Sequence, residues 1–203
     1  SLVAVALGAW ALSRLPRAPS WLPVTIALTP GVVAAVGRSL SDALAAGLGL
    51  VAVTLATERR WTTMILVLVA AALTRETLLL VAAGLVFTPG MPWRIRIATL
   101  AIPGLAFATW STWVSWAAGS PPTKGGFEQF ALPMVGWMSP HVGPIDLALG
   151  LAAIGLLAAA AWRARRELPH VAVICGLGAL LLVCLSDRVT FCWINSMRPV
   201  APM

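Results

Sequence analysis

Two arginines stand in contexts where a guanidinium can do chemistry. Arg75 lies in Leu73-Thr74-Arg75-Glu76-Thr77-Leu78, and Arg198 lies in Asn195-Ser196-Met197-Arg198-Pro199. A guanidinium presents its donors as a planar fork that matches two phosphate oxygens at once, so each is a candidate phosphate ligand. Pro199 restricts Arg198 to extended backbone, which places it where a loop meets the next helix. Glu76 can orient Arg75 or contact an acceptor hydroxyl. Asp42 closes Ser39-Leu40-Ser41-Asp42, just before an apolar run. Two readings of it stay open: a capping box with Ser39 as the cap, or a carboxylate at the mouth of a cavity in a helical bundle. Glu128 and Trp137 fall in a segment rich in Gly and Pro. Trp137 is either an interfacial anchor or a surface on which a sugar stacks.

The other polar residues have plainer expectations. Thr74 caps the helix after Arg75-Glu76, and Asp146 caps a helix starting at Leu147. Asp187 and Arg188 form an interfacial pair. His141 faces solvent in its loop, and His170 is interfacial beside a cluster of arginines. No Gly-rich phosphate loop, HExxH pattern or Ser–His–Asp order is present. Cys175, Cys184 and Cys192 lack metal-ligand spacing, and Cys175 and Cys184 lie in an apolar run as small hydrophobes. The sequence therefore calls for no metal and no cofactor.

Elements that could position these residues must be built from an unusual composition. Of 203 residues, 60% are hydrophobic and 10% charged. Mean hydropathy is +0.91. Soluble domains carry about 25% charged residues, so this chain has too few to solvate a globule. A soluble domain and a disordered tail are not expected. The net charge of +7 forms no basic stripe interleaved with aromatics, which argues against nucleic acid. The expectation is an all-α, polytopic transmembrane bundle of seven or eight helical segments, some short or broken, in one domain over residues 1–203. Thirteen arginines against one lysine, much alanine and no tyrosine suggest a bacterial source and hence the inner membrane. The chain opens inside an apolar run at Ser1, without a basic signal region, and is expected to be a fragment.

Eight apolar stretches can be marked: Leu2–Leu12, Trp21–Val36, Ala43–Thr57, Trp61–Leu73, Leu78–Phe87, Ile95–Ala118, Leu147–Trp162 and Val171–Leu185. Arginines punctuate them. Arg14, Arg17, Arg59, Arg60, Arg94, Arg96, Arg163, Arg165 and Arg166 share one side if the positive-inside rule holds, with Glu58 and Glu167 as the acids there. The other side then carries balanced charge, including Asp42, Arg75, Glu76, Glu128, Asp187, Arg188 and Arg198. A single helix over 61–87 would bury Arg75 and Glu76 at about 2.5–3.5 kcal/mol each. It would also reverse the side of every later cluster, so two helices divided at Thr74-Arg75-Glu76 are expected. Gly119–Pro144 becomes an extracytoplasmic loop. Trp110, Trp113 and Trp116 mark one membrane interface, and Trp21, Trp61, Trp93 and Trp162 the other.

Several motifs carry a resemblance. They are Ser39-Leu-Ser-Asp42-Ala-Leu-Ala-Ala, the Arg59-Arg60 helix end, Ala-Leu-Thr74-Arg75-Glu76-Thr77, Gly126-Phe-Glu-Gln-Phe-Ala-Leu-Pro133-Met-Val-Gly136 and Met197-Arg198-Pro-Val-Ala-Pro-Met203. In order and spacing, from about Pro30 onward, they resemble the GT-C superfamily of membrane glycosyltransferases. That resemblance implies transfer of a sugar from a polyprenyl-phosphate carrier to an acceptor on the extracytoplasmic side. The partners implied are membrane lipid and the lipid-linked donor. Arg75 and Arg198 would stabilise charge developing on the donor phosphate, and a carboxylate would activate the acceptor hydroxyl. The candidates here are Asp42 and Glu76, with Glu128 and Trp137 as substrate contacts. GT-C enzymes place their essential carboxylate in the first outer loop, which here would precede Ser1. Two alternatives accompany this reading: a non-catalytic membrane subunit or scaffold, and a transporter of a lipid-linked or small polar solute.

Overall fold

The computed structural model describes residues 2–14, 24, 41–119 and 143–184. Among the described residues the chain is all-helical. Its helices are α1 (Leu2–Ser13), α2 (Ser41–Thr57), α3 (Trp61–Thr74), α4 (Leu79–Leu85), α5 (Trp93–Ala118), α6 (Pro144–Ala164) and α7 (Pro169–Val183), with a 3-10 turn at Glu76–Leu78 before α4. Each matches one of the apolar stretches, while Trp21–Val36 falls outside the described residues apart from Val24.

The boundaries come from local chemistry. Arg75 takes an extended conformation (φ −155°, ψ 120°), which stops α3 and separates it from the 3-10 turn. The expected division at Thr74-Arg75-Glu76 is therefore present. Thr74 does not cap the 3-10 turn or α4. Its hydroxyl donates back to the Ala70 carbonyl, 2.7 Å away, because a helical threonine finds that acceptor one turn behind it. Pro89, Gly90 and Pro92 separate α4 from α5, with Gly90 at φ 75°. Pro144 and Pro169 open α6 and α7, where a missing N–H leaves no bond unmade. Gly143 is the N-cap of α6, so Asp146 lies within the first turn and does not start the helix.

Helix α2 lies between α1 and α3, α3 packs on α5, α4 bridges α5 and α7, and α6 pairs with α7. Val51, Leu55, Met64, Ile65, Leu68 and Leu85 form the core, with Leu7, Ile95 and Ile174 packed against it. Thr54 is buried within it, and its hydroxyl lies 3.1 Å from both the Ala11 and the Leu50 carbonyls. Because Ala11 and Thr54 both lie near the C-terminal ends of their helices, α1 and α2 run parallel. Gly84 near the end of α4 meets His170 and Ile174 at the start of α7. That contact brings the α6–α7 turn beside the α4–α5 turn.

At 1.5 Å per residue, α5 is about 39 Å long, against about 26 Å for α2 and about 21 Å for α3. Helix α5 alone, among the described residues, is long and apolar enough to cross a membrane unaided. Its outer face is not covered: Ile97, Leu105, Trp110, Trp113 and Trp116 are all exposed, Trp116 by 81%.

Candidate functional site

The packing sorts the charged residues into two ends. At one end lie the α2–α3 turn, the α4–α5 turn, the start of α5, the α6–α7 turn and the end of α1. Three contacts tie these together. Thr54 joins α2 to the end of α1. The Arg59 guanidinium reaches Gly90, where an added Cβ would sit 3.5 Å from Nη2. Gly84 closes α4 against the start of α7. This end carries Arg14, Arg59, Arg60, Arg94, Arg96, Arg163, Arg165 and Arg166, all exposed, against Glu58 and Glu167. The grouping expected from the positive-inside rule is thus a grouping in space, with Arg17 outside the described residues.

The backbone at Arg59 is unusual. Arg60 N–H donates to the Leu55 carbonyl at 2.9 Å and Arg59 N–H to the Ala56 carbonyl at 3.1 Å. This crossed pair is a Schellman ending, which needs a left-handed residue between the two bonds and usually uses glycine. Arg59 fills that position with φ 57°, a conformation that costs a side-chain-bearing residue about 1 kcal/mol or more. Arg60 makes a 3.9 Å contact with Glu58, an exposed pair worth at most about 1 kcal/mol. Arg96 Nε donates to the Met91 carbonyl at 3.2 Å and so braces the turn entering α5.

Three of the arginines lie over tryptophan rings. Arg14 is 5.5 Å from the Trp10 centroid, Arg94 5.8 Å from Trp93, and Arg165 3.2 Å from Trp162. Trp93 and Trp162 belong to the expected interfacial set. Trp10 stands outside that set, although its spacing of four residues from Arg14, at the end of an apolar run, is a readable signal.

The opposite end holds the sequence candidates. Arg75 and Glu76 are both exposed, Arg75 in the break after α3 and Glu76 at the start of the 3-10 turn. Helix α2 runs antiparallel to α3, so its first turn, with Asp42, lies at this same end. Gly49 in the middle of α2 touches Leu78, which sets the height of the 3-10 turn along α2. Asp42 is located here by its backbone. Glu128, Trp137, Arg198, His141, Asp187 and Arg188 lie outside the described residues. Trp110, Trp113 and Trp116 extend α5 toward this end, with Trp110 and Trp113 in a tilted ring contact at 5.1 Å. Among the described residues, no group of three or more His, Cys, Asp or Glu is placed to hold a metal ion.

His170 departs from its expected interfacial position. It is 2% exposed, and neither ring nitrogen has a hydrogen-bond partner. The side chain is enclosed because Gly84 lets α4 close against this turn of α7. Proximity in sequence to Arg163, Arg165 and Arg166 carries no information about that closure.

No known protein family, curated protein or solved structure matches the chain.

Proposed function

We propose that the chain is a multi-pass protein of a bacterial inner membrane with its arginine-rich end in the cytoplasm. At its opposite end it handles a lipid-linked phosphate as a GT-C-like glycosyltransferase does. The observation that carries the site is the break at Arg75. It holds a guanidinium and the Glu76 carboxylate at one end of α3, beside the first turn of α2 and away from the eight clustered arginines. Arg75 offers bidentate contact to a phosphate at headgroup level. Glu76, and Asp42 by the position of its backbone, are the candidate general bases for an acceptor hydroxyl. Charge on the departing polyprenyl phosphate would be stabilised by Arg75, with Arg198 as a second cation.

The membrane part of the reading is supported by the exposed apolar surface and by the tryptophans of α5. Trp93 and the Trp110–Trp116 group are separated by about 26–35 Å along the helix, close to the roughly 30 Å hydrocarbon thickness. The transferase is tested with membranes containing the full chain and a radiolabelled polyprenyl-phosphate sugar. Transfer should be lost in Arg75→Ala and in Arg198→Ala while both variants insert and accumulate. Loss of insertion, or unchanged transfer, removes the assignment.

One observation favours a second reading, a non-catalytic membrane subunit. The C-terminal half of α5 exposes Trp110, Trp113 and Trp116 on an uncovered apolar face. Co-purification of one stoichiometric protein, with no lipid-linked sugar bound, would select it.

A further inference from the structure

The arginine-rich end is more than a collection of like charges. Arg14 follows the last residue of α1, Arg94 lies in the first turn of α5 and Arg165 caps the C-terminus of α6, and each guanidinium lies over a tryptophan ring at that helix's own end. The rings are turned outward: Trp10 is 39%, Trp93 66% and Trp162 69% exposed. A tryptophan at a membrane interface sits at the level where acyl chains give way to headgroups. A guanidinium held over such a ring is then at phosphate height, where its N–H donors can meet phosphate oxygens.

Charge selects the partner. The whole end presents eight arginines against two glutamates, so a zwitterionic surface would leave most of this charge uncompensated. We infer that this end is a binding surface for anionic phospholipid headgroups, built from the pairs Trp10–Arg14, Trp93–Arg94 and Trp162–Arg165. The occupant is the phosphodiester of lipids in the leaflet, with their acyl chains against the apolar flanks of α1, α5 and α6. The inference rests on the membrane part of the proposed function and is independent of the transferase part.

The test uses the full chain in vesicles of phosphatidylcholine with and without 30% phosphatidylglycerol, about that fraction being enough to create a negative surface potential. Insertion is scored by resistance to carbonate extraction. Retained lipid is counted by native mass spectrometry after detergent release. The wild type should retain phosphatidylglycerol several-fold over its share of the vesicle lipid. Arg14→Gln/Arg94→Gln/Arg165→Gln should bring that enrichment down to parity, since each basic residue near an anionic surface is worth roughly fivefold in partition and the loss of three more than cancels a several-fold preference. Trp10→Leu/Trp93→Leu/Trp162→Leu keeps every charge and should still lower it, by a smaller factor. An inserted wild type with no enrichment overturns the inference and leaves the membrane reading standing. Enrichment unchanged in both triple variants also overturns it. Displacement of the retained lipid by millimolar inorganic phosphate would assign the surface to a free anion instead. Complete extraction by carbonate would overturn the membrane reading itself, and this inference with it.

Discussion

Gly84 and Ile174 bring two backbones into direct contact. A Cβ added to Gly84 would stand 3.0 Å from the Ile174 amide nitrogen and 3.2 Å from the His170 carbonyl oxygen, and it would collide with Ile174 Cγ1. Backbone atoms cannot swing aside as side chains do, so α4 and α7 approach this closely only because residue 84 has no side chain. Close packing through small residues is the main attraction between helices in lipid, where burial of apolar surface supplies little.

Gly84→Ala should therefore push α4 from α7 and destabilise the fold by about 1–3 kcal/mol, as over-packing does. Gly155 in α6 is the control, because a Cβ there meets nothing within 4 Å. Gly155→Ala should be neutral or stabilising by about 0.5–1 kcal/mol. Thermal melting of both variants in one detergent checks the pair. Equal effects at the two sites would refute the close-contact account.

The left-handed Arg59 makes a different prediction. Arg59→Gly and Arg59→Ala remove the same charge and the same reach to Gly90, but only glycine relieves the backbone. The glycine variant should be more stable than the alanine variant by about 1 kcal/mol. Denaturant midpoints that coincide would mean that the helix ends differently.

His170 is buried with two unpaired nitrogens. Replacing such a group by an apolar one of similar size removes an uncompensated desolvation, so His170→Leu should match or exceed the wild type in melting temperature. His170→Lys places a charge in the same enclosure and should cost several kcal/mol. A large loss in the leucine variant would indicate that the imidazole has a partner after all.

The two-ended charge distribution predicts topology. In a chain with its native cysteines replaced, Glu76→Cys should react with an impermeant maleimide from outside intact cells. Arg166→Cys should react only after the cytoplasmic side is opened. Reaction of both from the same side would contradict the separation of the two ends across a membrane.

Much of the fold is legible in the residues. Apolar runs punctuated by arginine, proline and glycine mark seven of the helices to within a few positions, because breaking a helix is a local event. Even the division at Arg75 can be expected from the two adjacent charges that interrupt one long apolar run. The same count of charges predicts which arginines belong together, since a chain that reverses at each turn must alternate sides. Local reading fails where a contact between distant elements, or a competing acceptor, decides the outcome. Whether Thr74 caps the next helix depends on a carbonyl one turn back, which the side chain reaches first. The burial of His170 depends on Gly84, more than eighty residues earlier in the chain. The placement of Arg14, Arg94 and Arg165 over tryptophan rings requires the side-chain geometry of three helix ends, and the meeting of those ends requires the packing of α1 on α2 and of α4 on α7. Composition and the punctuation of the apolar runs determine which segments are helical and which side of the molecule a charge belongs to. Which helices touch is set by where small residues allow backbones to meet, and that is a property of pairs of segments that neither carries alone.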